Sequence, residues 1–152
     1  MRALLNLLLF LTLLSLLPAA SALEQRPIGR IKRLTGTVSL EHAGQSLPAR
    51  VGMPLQQGDR LRTGADGLAA IALDDDSLLT AGPNSTLLIS QFNFNANTQD
   101  GTLEASLLRG SLHVVSGLIA KKKPEQVSFK ARSVVLGVRG TEFIIDVPGD
   151  EE

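Results

Sequence analysis

The sequence predicts an all-β domain, and three observations carry that prediction. Beyond residue 23 no window of a dozen residues keeps the i, i+3, i+4 apolar spacing of an amphipathic helix. Short apolar runs alternate with polar residues at a period of two, and Gly, Asn, Asp and Pro punctuate them at regular intervals. About nine or ten short strands in a single domain follow, arranged as a sandwich, a barrel or a short β-solenoid.

The first run covers residues 28–41, where Leu34, Gly36, Val38 and Leu40 share one phase and Thr35, Thr37 and Ser39 the other. A turn at Ala43-Gly44 makes a hairpin into Ser46-Leu47-Pro48. Gly58-Asp59 and Ala65-Asp66-Gly67 supply turn chemistry, because Gly tolerates positive φ and Asp bonds its own backbone two residues on. They delimit strands at Leu61 to Thr63 and at residues 68–73, 78–81 and 86–90, joined by Asp74-Asp75-Asp76-Ser77 and Gly82-Pro83-Asn84-Ser85. Residues 91–101 are polar and Asn-rich and read as a surface loop. Strands at 103–108 and 111–115 are parted by Arg109-Gly110, and the basic linker Lys121-Lys122-Lys123-Pro124 precedes the last strands, 127–131 and 134–147.

That final run carries a change of phase. Val134, Leu136 and Val138 occupy even positions, whereas Phe143, Ile145 and Val147 occupy odd ones, with Glu142 and Asp146 opposite. Side chains on a strand alternate faces, so a one-residue offset is required if both sets point into one core. Arg139-Gly140 is where a bulge or glycine-built corner must lie. Arg139 reads as a structural arginine bonding carbonyls or a carboxylate, or as an anchor for a protein partner.

The amino-terminal end reads as an export signal. Met1-Arg2 precedes an apolar run over residues 3–17, then Pro18 and the small residues Ala19-Ala20-Ser21-Ala22 with an Ala20-x-Ala22 cleavage site. A membrane anchor wants about 20 apolar residues and a basic stop. The expected organisation is therefore a signal peptide over 1–22, a β domain over 23–147 and a short acidic tail over 148–152. With cleavage the chain has no membrane span.

Composition excludes several function classes. Losing Arg2 leaves 14 basic residues against 15 acidic ones, so charge predicts no nucleic-acid partner. There is no cysteine for a disulfide or a lipid anchor, so packing and backbone hydrogen bonds must hold the fold. Without Trp or Tyr, aromatic platforms for sugars or bases are nearly absent.

Four blocks together resemble the FecR domain family, the periplasmic domain of iron-dicitrate-sensor type. They are "GDRLRTGADGLAAIALDDDSLLTAGPNSTLLI", read as a glycine-turn block and an Asp-Ser-turn block, then "LEASLLRGSL" and "VLGVRGTEFIIDV". The motif positions this resemblance carries over are Gly58, Asp59, Thr63, Gly64, Gly67, Gly110, Arg139, Gly140, Thr141 and Phe143, all in structural roles. Asp76 stands where the family usually has Gly, and Ala131-Arg132 replaces a common Thr-Pro. Full-length regulators of this family add an anti-sigma segment, a membrane helix and a further carboxyl-terminal region. The resemblance covers only the middle domain, so it implies a module and not transmembrane signalling.

Candidate chemistry is sparse. Asp74-Asp75-Asp76 lacks the alternating ligands of a calcium loop and reads as a solvated hairpin tip. His42 and His113 have no Cys or Glu at metal-ligand spacing, so no metal or cofactor is expected. No G-x-S-x-G elbow or S-x-x-K motif supports nucleophilic catalysis. Asn84-Ser85-Thr86 is a formal glycosylation sequon but a better turn. The basic runs "IGRIKRL" and "AKKKPE" read as solvated linkers, or as contacts for an acidic partner or envelope polyanion. Edge strands near either terminus offer β-augmentation, which uses main-chain bonds and no special residues. The expectation is a non-enzymatic protein-interaction module of the envelope, periplasmic or secreted, acting in sensing, regulation or assembly. The competing expectation is a structural or wall-polymer-binding surface protein.

Overall fold

The computed structural model describes residues 26–132, 134–138 and 142–148. The predicted export segment and Arg139, Gly140 and Thr141 lie outside them, so the predicted cleavage site and the predicted offset at Arg139-Gly140 do too. Twelve strands form one curled sheet: β1 (Gly29–Thr35), β2 (Val38–His42), β3 (Gln45–Pro48), β4 (Pro54–Leu55), β5 (Arg60–Thr63), β6 (Leu68–Leu73), β7 (Leu78–Ala81), β8 (Thr86–Asn95), β9 (Asp100–Val115), β10 (Val127–Ala131), β11 (Val134–Gly137) and β12 (Glu142–Val147). A short helix, α1 (Leu118–Lys122), and a 3-10 turn (Pro124–Gln126) separate β9 from β10.

The long strand β9 organises everything else. Its carboxyl half pairs with β7 and β12, making a front sheet in the order β12-β9-β7-β6-β1-β4. Its amino half pairs with β8 and, in parallel, with β10, making a back sheet in the order β3-β2-β5-β8-β9-β10-β11. Both halves face one core that includes Ile31, Ile71, Leu79 and Leu112 from the front and Leu40, Leu61, Ile89, Leu103 and Phe129 from the back. Of the predicted architectures, the structure is a sandwich made by curling one sheet around that core.

Irregularities of register explain where strand prediction failed. On β9 the buried set runs Leu103, Ala105, Leu107 and then Leu112, Val114. The change of phase coincides with a register break opposite Thr86, and the strand bends at Gly110, whose φ is +85°. The two predicted strands are thus one strand that changes sheets. On β8, Ile89 pairs with Ala105 and Gln91 with Glu104, so Ser90 is the extra residue of a bulge. It turns Phe92 inward, and the segment read as a loop becomes the end of β8 and the start of β9.

Other corrections follow from glycine and proline. Gly36, at φ +64°, splits the run over 28–41 into β1 and β2. The basic linker at 121–124 contains the end of α1 and the start of the 3-10 turn, and the run over 134–147 becomes β11 and β12. Strand β4, two residues beginning with Pro54, has too short a pattern to be read from sequence. The IGRIKRL run is not a linker, because Arg30, Lys32 and Arg33 lie within β1.

Two turns are tied by carboxylates. The Thr37 N–H donates to Asp66 Oδ1 at 3.1 Å, joining the β1–β2 turn to the β5–β6 turn, and that bond holds the Asp66 carboxyl below its ordinary value of 3.8. Hydrogen bonds from Lys123 and Lys122 do the same for Asp100. Because both folded values are lowered, the stability they add is present above about pH 4 and lost as pH falls through the lowered values. Asp66→Asn is expected to make the fall in melting temperature between about pH 4 and pH 2 shallower, as followed by circular dichroism.

Candidate functional site

The family-motif positions gather at turns and in the core. Asp59, 2% exposed, accepts from the Gln56 N–H at 2.8 Å and pairs with His42 Nδ1 at 2.5 Å, closing the turn that contains Gly58. The Thr63 hydroxyl donates to the Gly82 carbonyl at 2.6 Å and accepts from the Ser85 N–H at 2.8 Å. A Cβ on Gly67 would lie 2.5 Å from the Thr37 carbonyl, and one on Gly64 would lie 3.1 Å from the Thr37 side chain. Those turns therefore stack only if position 67 is glycine, and position 64 is tight. Phe143 is half-buried and meets Phe129 edge-on, with centroids 5.4 Å apart.

The aspartate triplet differs from expectation. Asp74 is exposed, but Asp75 is fully buried and accepts from the Ser77 N–H at 3.1 Å and the Ser77 hydroxyl at 2.9 Å. Asp76 takes the left-handed conformation, φ +66°, that the family's usual Gly would supply. Asp74 and Asp76 are solvated, as a hairpin tip requires, and Asp75 alone is a plug under the β6–β7 turn.

Sequence reasoning also missed the partners of both histidines. His42 links β2 to the turn before β5 through Asp59, and His113 on β9 meets Glu142 on β12 at 2.7 Å. The signal available was only that each histidine sits in a strand opposite a carboxylate-bearing segment. Among the described residues no group of three or more His, Cys, Asp or Glu is placed to hold a metal ion. A shallow groove of about 240 Å³ runs between Arg26, Asp74, Phe92 and Phe94.

A distinct feature lies where the two sheets end. Phe129 pairs with Leu136 and Ala131 with Val134, so Val134 and Leu136 point to the core side as their phase requires. Yet they are 53% and 37% exposed, against 0% for Phe129. The expectation that both are buried fails because the sheets are unequal. Among the described residues the back sheet continues two strands past β9, to β11, while the front sheet continues one, to β12. Among the described residues no strand lies opposite β11 or pairs with the outer edge of β12, which leaves a slot with room for one strand between them. After the predicted offset the phase holds: Ile145 and Val147 are buried and Phe143 packs beneath.

The edges are not equally protected. Strand β3 is short and ends in Pro48, β4 begins with Pro54, and β12 carries Glu142 and Asp146. Strand β11 reads VVLG, with no charge and no proline. Natural sheets guard edges with those very residues, and β11 lacks them.

Residues 59–152 match the family described as "FecR protein". The chain belongs to the FecR family. The match begins at Asp59, so β1 to β4 of this FecR-family domain precede it, although Ile31, Val38, Leu40 and Leu55 share its core. A solved structure titled "Cell surface anchoring domain" is similar at 31% identity, covering 40% of this chain and 82% of that one, with a TM-score of 0.39. No curated protein matches the chain. Among the described residues no helix is long and apolar enough to cross a membrane.

Proposed function

We propose that this FecR-family domain is a non-enzymatic interaction module of the cell envelope that captures an extended segment of a partner protein in the slot between β11 and β12. In this reading residues 1–22 are removed on export, 23–147 form the working domain in the periplasm or outside the cell, 148–152 form an acidic tail, and capture serves sensing, regulation or assembly. The family-motif residues, Arg139, Gly140 and Thr141 included, are read as structural, and of them only Phe143 also faces the captured segment.

The observation that carries the reading is the overhang of Val134 and Leu136. A segment adding to the free edge of β12 gains main-chain hydrogen bonds and covers both side chains, which is how strand addition divides affinity from specificity. A second copy pairing along β11 would extend the back sheet and leave both overhangs open. The segment must carry apolar residues at alternate positions facing Leu136 and Phe143. Its other face flanks Glu142 and Asp146, where opposite charge is favoured across strands by about 0.2–1 kcal/mol and like charge is penalised.

An alternating Val-Lys octapeptide is the probe. It is expected to slow amide exchange in β12, an effect weakened at least tenfold by Leu136→Lys and absent with an alternating Val-Glu octapeptide. In cells, a photocrosslinker at Leu136 is expected to form a discrete protein adduct that one at Leu47 on β3 does not form. Equal protection by both peptides, protection at β3 instead, or salt-sensitive retention on purified peptidoglycan without peptide binding would overturn the proposal, the last favouring a structural, wall-binding role.

A further inference from the structure

The outward faces of the two sheets treat their charges differently. On the back sheet opposite charges sit on neighbouring strands and meet: Glu41 with Arg60 and Arg62 at 3.6 and 3.3 Å, and Glu104 with Lys130 at 3.5 Å. On the front sheet the arginines and lysine are segregated from the carboxylates, and Glu142 meets only the His113 imidazole, at 2.7 Å. The bulge of β1 between Ile31 and Arg33 puts Lys32 and Arg33 on the same outward face as Arg30, and none of the three has an ion-pair partner among the described residues. The acidic groups Glu142 and Asp146 lie on β12, four strand steps away, or about 19 Å at the usual strand spacing.

Between these ends the registers define two rows across the outer face. One reads Arg30, Ala72, Leu78, Val115, Glu142, and the other reads Arg33, Ala70, Thr80, His113, Ile144. Each is basic at one end, small on β6, larger on β9, and carries the acidic strand at the other. Ile144 is 72% exposed in the middle of β12, an apolar side chain with nothing over it.

We infer that this face is the contact surface for a second copy of the chain, related by a two-fold axis parallel to β7. Such an axis carries a row onto itself reversed. Glu142 then meets Arg30 of the second copy, Val115 lies over Ala72, His113 over Ala70, Ile144 over the aliphatic stem of Arg33 and Leu78 over Leu78, within the twist of aligned sheet packing. An axis perpendicular to the strands would place Arg30 beside Arg30 and is excluded by charge. The contact is isologous, so each ion pair occurs twice. Its patch is small and its charges are at the rim, which predicts a weak, salt-sensitive dimer.

Charge reversal tests the pairing directly. Arg30 and Glu142 are exposed, so Arg30→Glu and Glu142→Arg are expected to fold, as checked by circular dichroism. Sedimentation velocity with interference optics suits a chain lacking Trp and Tyr. The native protein is expected to dimerise between micromolar and millimolar concentration, with affinity falling at least tenfold between about 0.05 M and about 0.5 M salt. Each variant alone is expected to be monomeric, since both of its pairs become like-charged. Mixing the two is expected to restore a heterodimer, because one of its two pairs is then native and the other has both charges exchanged, so each joins opposite signs. The double variant is expected to dimerise like the native chain. A native chain monomeric at millimolar concentration, dimerisation indifferent to salt and to Arg30→Glu, or a mixture that stays monomeric would overturn the inference. Arg30→Glu lies outside the β11–β12 slot, so it leaves octapeptide binding unchanged and the two readings fail separately.

Discussion

Replacing Gly110 by alanine is expected to lower stability by at least about 3 kcal/mol and to leave the chain largely unfolded near 37 °C. Gly110 is the bend at which β9 leaves the back sheet for the front. Its φ of +85° is one that an L side chain adopts only with strain. A Cβ there would also lie 2.3 Å from Ser85 Oγ, 2.5 Å from Ser85 Cα and 2.8 Å from the Asn84 carbonyl. Two of these three atoms are backbone, so a rotated side chain does not make room. Ser85 cannot retreat, since its hydroxyl donates to the Ser111 carbonyl and accepts from the Ser111 N–H, both at 3.0 Å, while its own N–H is held by Thr63.

Gly58 separates strain from crowding. Its φ is +89°, yet nothing lies within 4 Å of a Cβ built on it. Gly58→Ala is therefore expected to cost only the conformational term, about 1–2 kcal/mol. Urea unfolding followed by far-ultraviolet circular dichroism reads both variants. Equal losses for Gly58→Ala and Gly110→Ala would show that the contact with Ser85 adds nothing, and Ser85→Gly is not expected to rescue Gly110→Ala because Ser85 Cα and the Asn84 carbonyl remain.

The bend at Gly110 also shows what the sequence makes legible. Strands β5, β6 and β7 were readable to within a residue because glycine or aspartate turns flank them and no bulge interrupts them. The phase rule that requires an offset before Phe143 applies equally to Leu107 and Leu112, and again to Ile89 and Phe92. Where the offset coincided with Arg109-Gly110 it read as a gap between strands, since a charge and a glycine ordinarily end one. Where it fell on Ser90 among polar residues it read as a loop. Both are bulges within long strands, a distinction set by the pairing partner rather than by local composition. The slot was illegible for a similar reason: Val134 and Leu136 have a core pattern and face the core side, and their exposure depends on how many strands each sheet extends past β9. Charge segregation on the front face likewise needs the strand order, because Arg30 and Glu142 are distant in sequence and belong to one row only through four pairings.

The three consecutive aspartates are expected to respond very differently to alanine. Asp74 is exposed, and Asp74→Ala is expected to stay within about 0.5 kcal/mol of the native chain. Asp75→Ala is expected to cost roughly 2–5 kcal/mol, because the Ser77 N–H and hydroxyl lose their acceptors where water does not reach. Asp75→Asn keeps one carbonyl oxygen and is expected to lose less than half as much. The network continues inward: Ser77 Oγ accepts from the Gly117 N–H at 3.0 Å, and the Asp75 carbonyl accepts from the Leu118 N–H at 2.7 Å, so the plug fastens the β6–β7 turn to the end of β9 and the start of α1. Gly117 has an ordinary φ of −91°, but a Cβ on it would lie 2.2 Å from that carbonyl and 2.4 Å from the Ser77 nitrogen. Gly117→Ala is thus crowding without strain, and its loss is expected to match that of Asp75→Ala, with the double variant losing less than the sum because both break the same contact. Indistinguishable urea midpoints for Asp74→Ala and Asp75→Ala would return the triplet to a solvated hairpin tip.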